Sequence, residues 1–171
     1  MISQRSLRVS AIGAMRSHNE LALKEAFRTG KQTAFLSHSH EDAQLAEGVQ
    51  AFLQEQGWDV YIDWQDTAMP ATPTETTAKK IQERINRATW FLFLATAHSM
   101  SSRWCPWEIG YADGVKELSR IIVLPTRDYS NKEYGSEYLK LYRHVKTDSF
   151  GRQVLFEAGG MGSRSLGQLR G

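Results

Sequence analysis

The stretch SSRWCPWEIGYADG, Ser101 to Gly114, holds two tryptophans, the chain's only cysteine, a proline and one glutamate. Trp104, Trp107 and Ile109 suit a hydrophobic core, and Glu108 does not. A carboxylate among bulky apolar residues is either paired structurally or used in chemistry. Pro106 puts Glu108 near the start of a helix, because proline is tolerated only in the first turn. The positive end of the helix dipole favours a negative charge there. Trp104 and Glu108 are spaced i, i+4 and so share a helix face. An aromatic plate beside a carboxylate can stack on a planar ring while the carboxylate works on an attached sugar.

The elements that must position these groups follow from hydrophobic period. A first helix is expected over Asn19 to Arg28, where Ser17 and Glu20 have capping-box spacing and Gly30 is a stop. TAFLS, Thr33 to Ser37, is a short apolar strand. Ser39 then opens a helix with Glu41 and Asp42 in its first turn and an apolar stripe of Leu45, Val49, Phe52 and Leu53, ended by Gly57. WDVYIDW alternates strictly, with Trp58, Val60, Ile62 and Trp64 on one face and Asp59, Tyr61 and Asp63 on the other. The Thr- and Pro-rich loop from Gln65 to Thr77 is long for a strand-to-helix connection, which marks it as functional or mobile. Ile81, Ile85 and Ala88 give the next helix its inner face, and TWFLFLA and IIVLP read as strands buried on both sides. A Tyr-rich helix is expected from about Glu133 to Arg143, with Tyr134, Tyr138, Leu141 and Tyr142 on one side, and QVLFE, Gln153 to Glu157, as a fifth strand.

Strands alternating with helices predict an α/β sandwich on a parallel sheet with right-handed crossovers. At this size the flavodoxin-like order 2-1-3-4-5 fits best, with helices on both faces, and ligands then bind where the order reverses, at the carboxyl ends of strands 1 and 3. Those ends are SHSH, Ser37 to His40, and ATAHS, Ala95 to Ser99, with Asp63 and Trp64 ending the neighbouring strand. The polar residues that have no place in a core thus converge with Glu108 on one crevice. A phospho-receiver would need an Asp where Thr96, Ala97 and His98 stand, and SHSHED has no glycine and two acids, which argues against cradling a phosphate. His38, His40, His98 and Cys105 are the candidate metal ligands, but they lack the tight Cys/His spacing of a zinc site. A Cys105–His nucleophile is the other enzyme class open, although a lone cysteine among tryptophans is more often packed than reactive.

The 171 residues suit one domain, which at this size buries about 70% of its unfolded surface. The 21 Lys and Arg nearly balance 19 Asp and Glu, and with no basic cluster this gives no nucleic-acid signature. One cysteine excludes an internal disulfide framework and fits a reducing compartment. No apolar run approaches the roughly 20 residues of a membrane span, and no secretory h-region opens the chain, so a cytoplasmic protein is expected. The first 19 residues carry arginines and serines without an acid and read as a partly disordered arm. The expected organisation is an N-terminal arm and helix over 1–31, a single domain over 32–158, and a flexible Gly/Ser-rich tail over 159–171.

TAFLSHSHED, GWDVYIDW, SMSSRWCPWEIGYA and IIVLP, in this order and spacing from about Thr33 to Thr126, together resemble the Toll/interleukin-1 receptor (TIR) domain, in the style of stand-alone bacterial immune members. The W-x-x-x-E arrangement of Trp104 and Glu108 is its most specific piece. The resemblance implies a flavodoxin-like TIR fold and cleavage of NAD+ at the nicotinamide–ribose bond, giving ADP-ribose or a cyclic ADP-ribose-type signal in antiviral defence. It puts the catalytic glutamate on Glu108 and substrate-flanking positions on His38, Ser39 and Asp63; Ser37, at the end of strand 1, and Trp104, on the helix face of Glu108, complete the expected substrate-binding set. It places the loop that shapes the site and mediates assembly on Gln65 to Thr77, here with Pro70 and Pro73 and no glycine. NAD+ is then the substrate, with no metal and no cofactor required, and the implied partners are further TIR domains and a separate effector that senses the product. The other reading is a non-catalytic TIR scaffold. Because some members that act only as adaptors lack the glutamate, Glu108 favours the enzyme.

Overall fold

A computed structural model describes residues 1–13, 33–62, 74–138, 140–160 and 162–166. The expected helix over Asn19 to Arg28 lies outside the described residues, as do Asp63, Trp64 and positions 65–73 of the long loop. Among the described residues eight strands form one sheet: β1 (Ile2–Ser3), β2 (Thr33–Ser37), β3 (Asp59–Tyr61), β4 (Trp90–Ala95), β5 (Ile121–Arg127), β6 (Arg143–Thr147), β7 (Gln153–Phe156) and β8 (Ser163–Ser165). Their order is β3-β2-β4-β5-β6-β7-β8, with β1 beside β5. The pairs from β3 through β6 are parallel, and β7 and β8 add two antiparallel strands.

The four strands read from TAFLS, WDVYIDW, TWFLFLA and IIVLP therefore take the order 2-1-3-4 in one parallel sheet. Phe35 pairs with Phe91 and Leu92 with Ile122, so the central strands are apolar on both faces because both faces are covered. On one face α1 (Gln4–Gly13) and α2 (Ala43–Glu55) cover Ala34, Leu36, Val60, Leu92 and Leu94. On the other, α3 (Glu75–Arg87) and α5 (Trp104–Val115) cover Phe35, Phe91, Phe93 and Val123. The short α4 (Ala97–Ser101) bridges β4 to α5. The α2 stripe is as expected: Leu45, Val49 and Leu53 are buried, Phe52 packs beside them, and Gly57 follows at φ 84°.

Four expectations need correction. The fifth parallel strand is β6, and QVLF is its antiparallel neighbour. RHVKT has one apolar residue, Val145, which is buried beside the equally buried His144, so its period-2 pattern is weak. The Tyr-rich helix is absent: Gly135, held at φ 89° with its Cα against Ala95, breaks the segment, and only a 3-10 turn, Ser136–Tyr138, remains. Tyr134, Tyr138 and Tyr142 still turn to the core, whereas Leu141 is exposed. The long loop ends earlier than Thr77, since Thr74 caps α3 in a reciprocal capping box with Thr77. The described terminal residues carry elements that the sequence does not signal: β1 and α1 over residues 2–13, and β8, which pairs with β7, followed by the buried Leu166.

His144 on β6 sets a pH limit on stability. It is 1% exposed, its ring stacks on Phe156, and its Nδ1 lies 3.3 Å from the Tyr142 carbonyl. Burial holds its pKa below the ordinary value, opposed by the Tyr142 carbonyl and aided by Lys146. The folded state therefore prefers the neutral ring. Above about pH 6.5 both states are neutral and the fold is at full strength. As pH falls through that value the unfolded chain takes up the proton first, and stability declines until the folded pKa is passed. The expected result is a Tm that drops between pH 7.5 and 5.5, with a smaller drop in His144→Gln. Equal drops in thermal scans of the two proteins would show that His144 does not contribute.

Candidate active site

The sheet order reverses between the carboxyl ends of β2 and β4. Ser37, the last residue of β2, follows Thr33 and Phe35 on the strand face that looks toward α5. Its hydroxyl donates to Oε2 of Glu108 at 2.6 Å. Glu108 lies on the inner face of α5 with Cys105, Ile109 and Ala112, and is only 4% exposed. The two residues are 71 positions apart in sequence. Pro106 does stand in the first turn of α5, but Glu108 is in the second turn, where the helix terminus acts more weakly. The hydrogen bond from Ser37 is a direct contact that helps orient the carboxylate.

Ser37 is itself 1% exposed, and its single proton is committed to Glu108. Its place is thus beside the carboxylate rather than at an open surface. His38 follows, with Nδ1 3.0 Å from the Leu36 carbonyl, so that nitrogen carries the proton and fixes the ring. Ser39 accepts from the Glu41 amide at 3.4 Å and caps a 3-10 turn, His40–Asp42, that runs directly into α2. It is therefore an N-cap, as its type predicts.

Trp104 and Trp107 are at the start of α5. Trp104 is half-buried against the apolar cluster and meets Trp107 edge-on at 5.4 Å. Trp107 is 36% exposed and stacks on Tyr111. Neither is fully buried, and the core position is taken by Cys105 instead. Ser102 fastens this helix start by accepting from the amides of Trp104 and Cys105 at 3.1 and 3.3 Å. At the far end, Tyr142 donates to Asp113 at 3.0 Å, and burial with this bond pushes the phenol up to about 12.

Among the described residues no group of three or more His, Cys, Asp or Glu is arranged to hold a metal ion. His98 is on the surface and pairs with Glu41 at 2.8 Å. Cys105 is buried in the core. Beside α4 a cavity of about 310 Å³ opens between Met100 and the segment after β5. Several of its polar residues are engaged elsewhere: Glu133 holds Arg127, Tyr134 donates to Asp128, and Lys132 lies over the Tyr134 ring.

The sequence reading did not identify the tie between Asp42 and Thr96. Asp42 is buried at the start of α2, and the Thr96 hydroxyl donates to its Oδ2. The T-x-x-S spacing of Thr96 and Ser99, a capping box that starts α4, is the local signal that was available.

Residues 34–155 match the family model described as TIR domain. A probable 3' cyclic ADP-D-ribose synthase, ThsB', from Bacillus cereus (strain MSX-D12) is 32% identical over 144 residues, which is 83% of this chain and 75% of that protein.

Proposed function

Since the chain belongs to the TIR domain family, we propose that it cleaves NAD+ at the nicotinamide–ribose bond in bacterial antiviral defence. The observation that carries the reading is the buried Glu108 carboxylate, which accepts from Ser37 where the sheet order reverses. The name of the Bacillus relative, a probable cyclic ADP-D-ribose synthase, gives the product class that such a cleavage would yield.

Heterolysis sends the bond's electron pair out with nicotinamide, a neutral leaving group, and leaves an oxocarbenium-like ribosyl cation. A carboxylate fixed in a water-poor pocket stabilises that charge without reorganising at the moment of reaction. The hydrogen bond from Ser37 holds one oxygen, so the other is directed by the same constraint. Half-buried Trp104, one turn before Glu108, offers a ring face for the departing planar base. His38, Ser39 and Asp63 are the remaining substrate-side candidates, of which Asp63 is outside the described residues. Attack of water on the cation then gives ADP-ribose and releases one proton. Attack by a hydroxyl of the second ribose gives a cyclic product and the same proton. We assign the cyclic outcome on the strength of the relative's name. No further cofactor enters the reaction. Incubating the purified chain with NAD+ and identifying products by mass spectrometry tests the reading. The cyclic product is lighter than ADP-ribose by one water, and intact NAD+ after prolonged incubation sinks the proposal in favour of a scaffold.

Association between copies completes the proposed picture. Trp107, Val115 and Leu118 leave apolar surface along and just beyond α5, and the loop from Gln65 carries Met69 and two prolines. We expect specific activity to rise with protein concentration. A flat value across a hundredfold dilution series contradicts this part. The product is read as a signal for a separate effector, and the working location as the cytoplasm. No helix among the described residues is long and apolar enough to cross a membrane.

A further inference from the structure

We propose that Asp42 is a positioning residue for Glu108, acting through Thr96. The inference rests on the NAD+-cleavage reading and adds a residue to its machinery. Asp42 stands where α2 begins, and a carboxylate there would ordinarily cap its own helix. It makes no such side-chain cap. It is 4% exposed and accepts instead from the hydroxyl of Thr96, 54 residues away.

That hydroxyl is at a junction. Thr96 Oγ1 donates to Asp42 and accepts from the Ser99 amide at 3.0 Å, while Ser99 Oγ accepts from the Thr96 amide at 2.8 Å. Its proton and one of its lone pairs are thereby assigned, and the start of α4 is fixed in place. From α4 the chain needs only Ser102 and Arg103 to reach α5, and Ser102 caps that helix. A continuous set of hydrogen bonds thus runs from Asp42 through Thr96, Ser99 and Ser102 to the helix that carries Glu108.

The other end of the same segment is tied too. Ser37 bonds Glu108 directly, and five residues later Asp42 bonds Thr96. The turn Ser37–Asp42 is therefore pinned at both ends to the stretch 96–108. Without the buried Asp42–Thr96 bond, that end of the turn is held to α4 by the solvent-exposed Glu41–His98 pair, a weak tie in water, and the carboxylate's relation to the groups on the β2 side loosens. Displacement of a reacting group by about 1 Å costs up to roughly a hundredfold in rate.

The test uses purified full chain, NAD+ turnover and thermal melting. Asp42→Asn keeps an oxygen that can accept from Thr96, so kcat should stay within about threefold of wild type. Asp42→Ala and the larger Asp42→Leu leave the Thr96–Ser99 cap intact but remove the acceptor. Each should lower kcat per folded molecule roughly ten- to hundredfold, while KM moves by less than about threefold. Wild-type kcat in either folded variant overturns the proposal. So does a loss that only tracks the folded fraction, and so does failure of both variants to fold, which would make Asp42 a structural staple. If wild type itself leaves NAD+ intact, the reaction is lost but the positioning claim is still decided by crystal structures. An unchanged Ser37–Glu108 bond in Asp42→Ala overturns it, and a broken one supports it.

Discussion

Glu108→Gln should lower NAD+ turnover at least about a hundredfold, roughly 2.7 kcal/mol at the transition state, with Tm held within roughly 3 °C. The two halves of this expectation come from different properties of the same side chain. Glutamine has the same shape, and its amide can still pair with the Ser37 hydroxyl across the 2.6 Å contact. The inner face of α5, with Cys105, Ile109 and Ala112, is undisturbed. What disappears is the negative charge in a pocket where the carboxylate is 4% exposed, and charge interactions are strongest where water is excluded. A purely structural glutamate predicts the reverse pattern, with Tm falling and residual turnover following the folded fraction. Both quantities measured on one preparation separate the two. Wild-type turnover in a fully folded Glu108→Gln protein would end the mechanism and put the scaffold reading in front.

The placement of Glu108 at the switch point was legible in the sequence because it rests on local signals. TAFLS, WFLFLA and IIVLP are apolar on both faces, as buried parallel strands are, and the switch-point rule then brings Ser37 and the segment after Ala95 together. Pro106 marked the first turn of α5, and the pattern of Leu45, Val49 and Leu53 marked α2. Three features stayed hidden for physical reasons. The fifth parallel strand, RHVKT, covers its face with one fully buried apolar residue, so period 2 is faint. The tyrosines after β5 have helical spacing, yet a glycine against Ala95 wins over that period by allowing the chain to pass close to the sheet. The bonds Ser37–Glu108 and Asp42–Thr96 join residues 71 and 54 apart, and no propensity encodes a pairing at that range. Asp42 in particular reads in sequence as a first-turn acid of the helix that Ser39 opens, and only the fold shows that its carboxyl turns to Thr96.

Gly48→Ala should lower stability by about 2–3 kcal/mol, and Tm by roughly 4–10 °C, although glycine to alanine inside a helix ordinarily stabilises by about 1 kcal/mol. Gly48 is where α1 crosses α2. A Cβ there would lie 2.0 Å from the Leu7 carbonyl oxygen and 2.6 Å from its carbon. Both are backbone atoms, so no side-chain rotation relieves the clash, and α1 must move by about 1 Å or more to restore ordinary contact. Leu7 and Ala11 are buried at this crossing, Gln4 donates to Thr126 at 2.9 Å and Arg8 to Gln44 at 2.6 Å, and all of these shift together. The strain exceeds the propensity gain because it acts on a whole helix rather than on one rotamer. Gly110 on the exposed side of α5 is the control: nothing lies within 4 Å of its added Cβ, so Gly110→Ala should raise stability by up to about 1 kcal/mol. Hydrogen exchange at the amides of Leu7 and Ala11 reports where the loss falls. Faster exchange there in Gly48→Ala, with β4 and β5 still protected, is expected when α1 detaches first. A Gly48→Ala protein as stable as Gly110→Ala would mean that α1 does not hold this close crossing in solution.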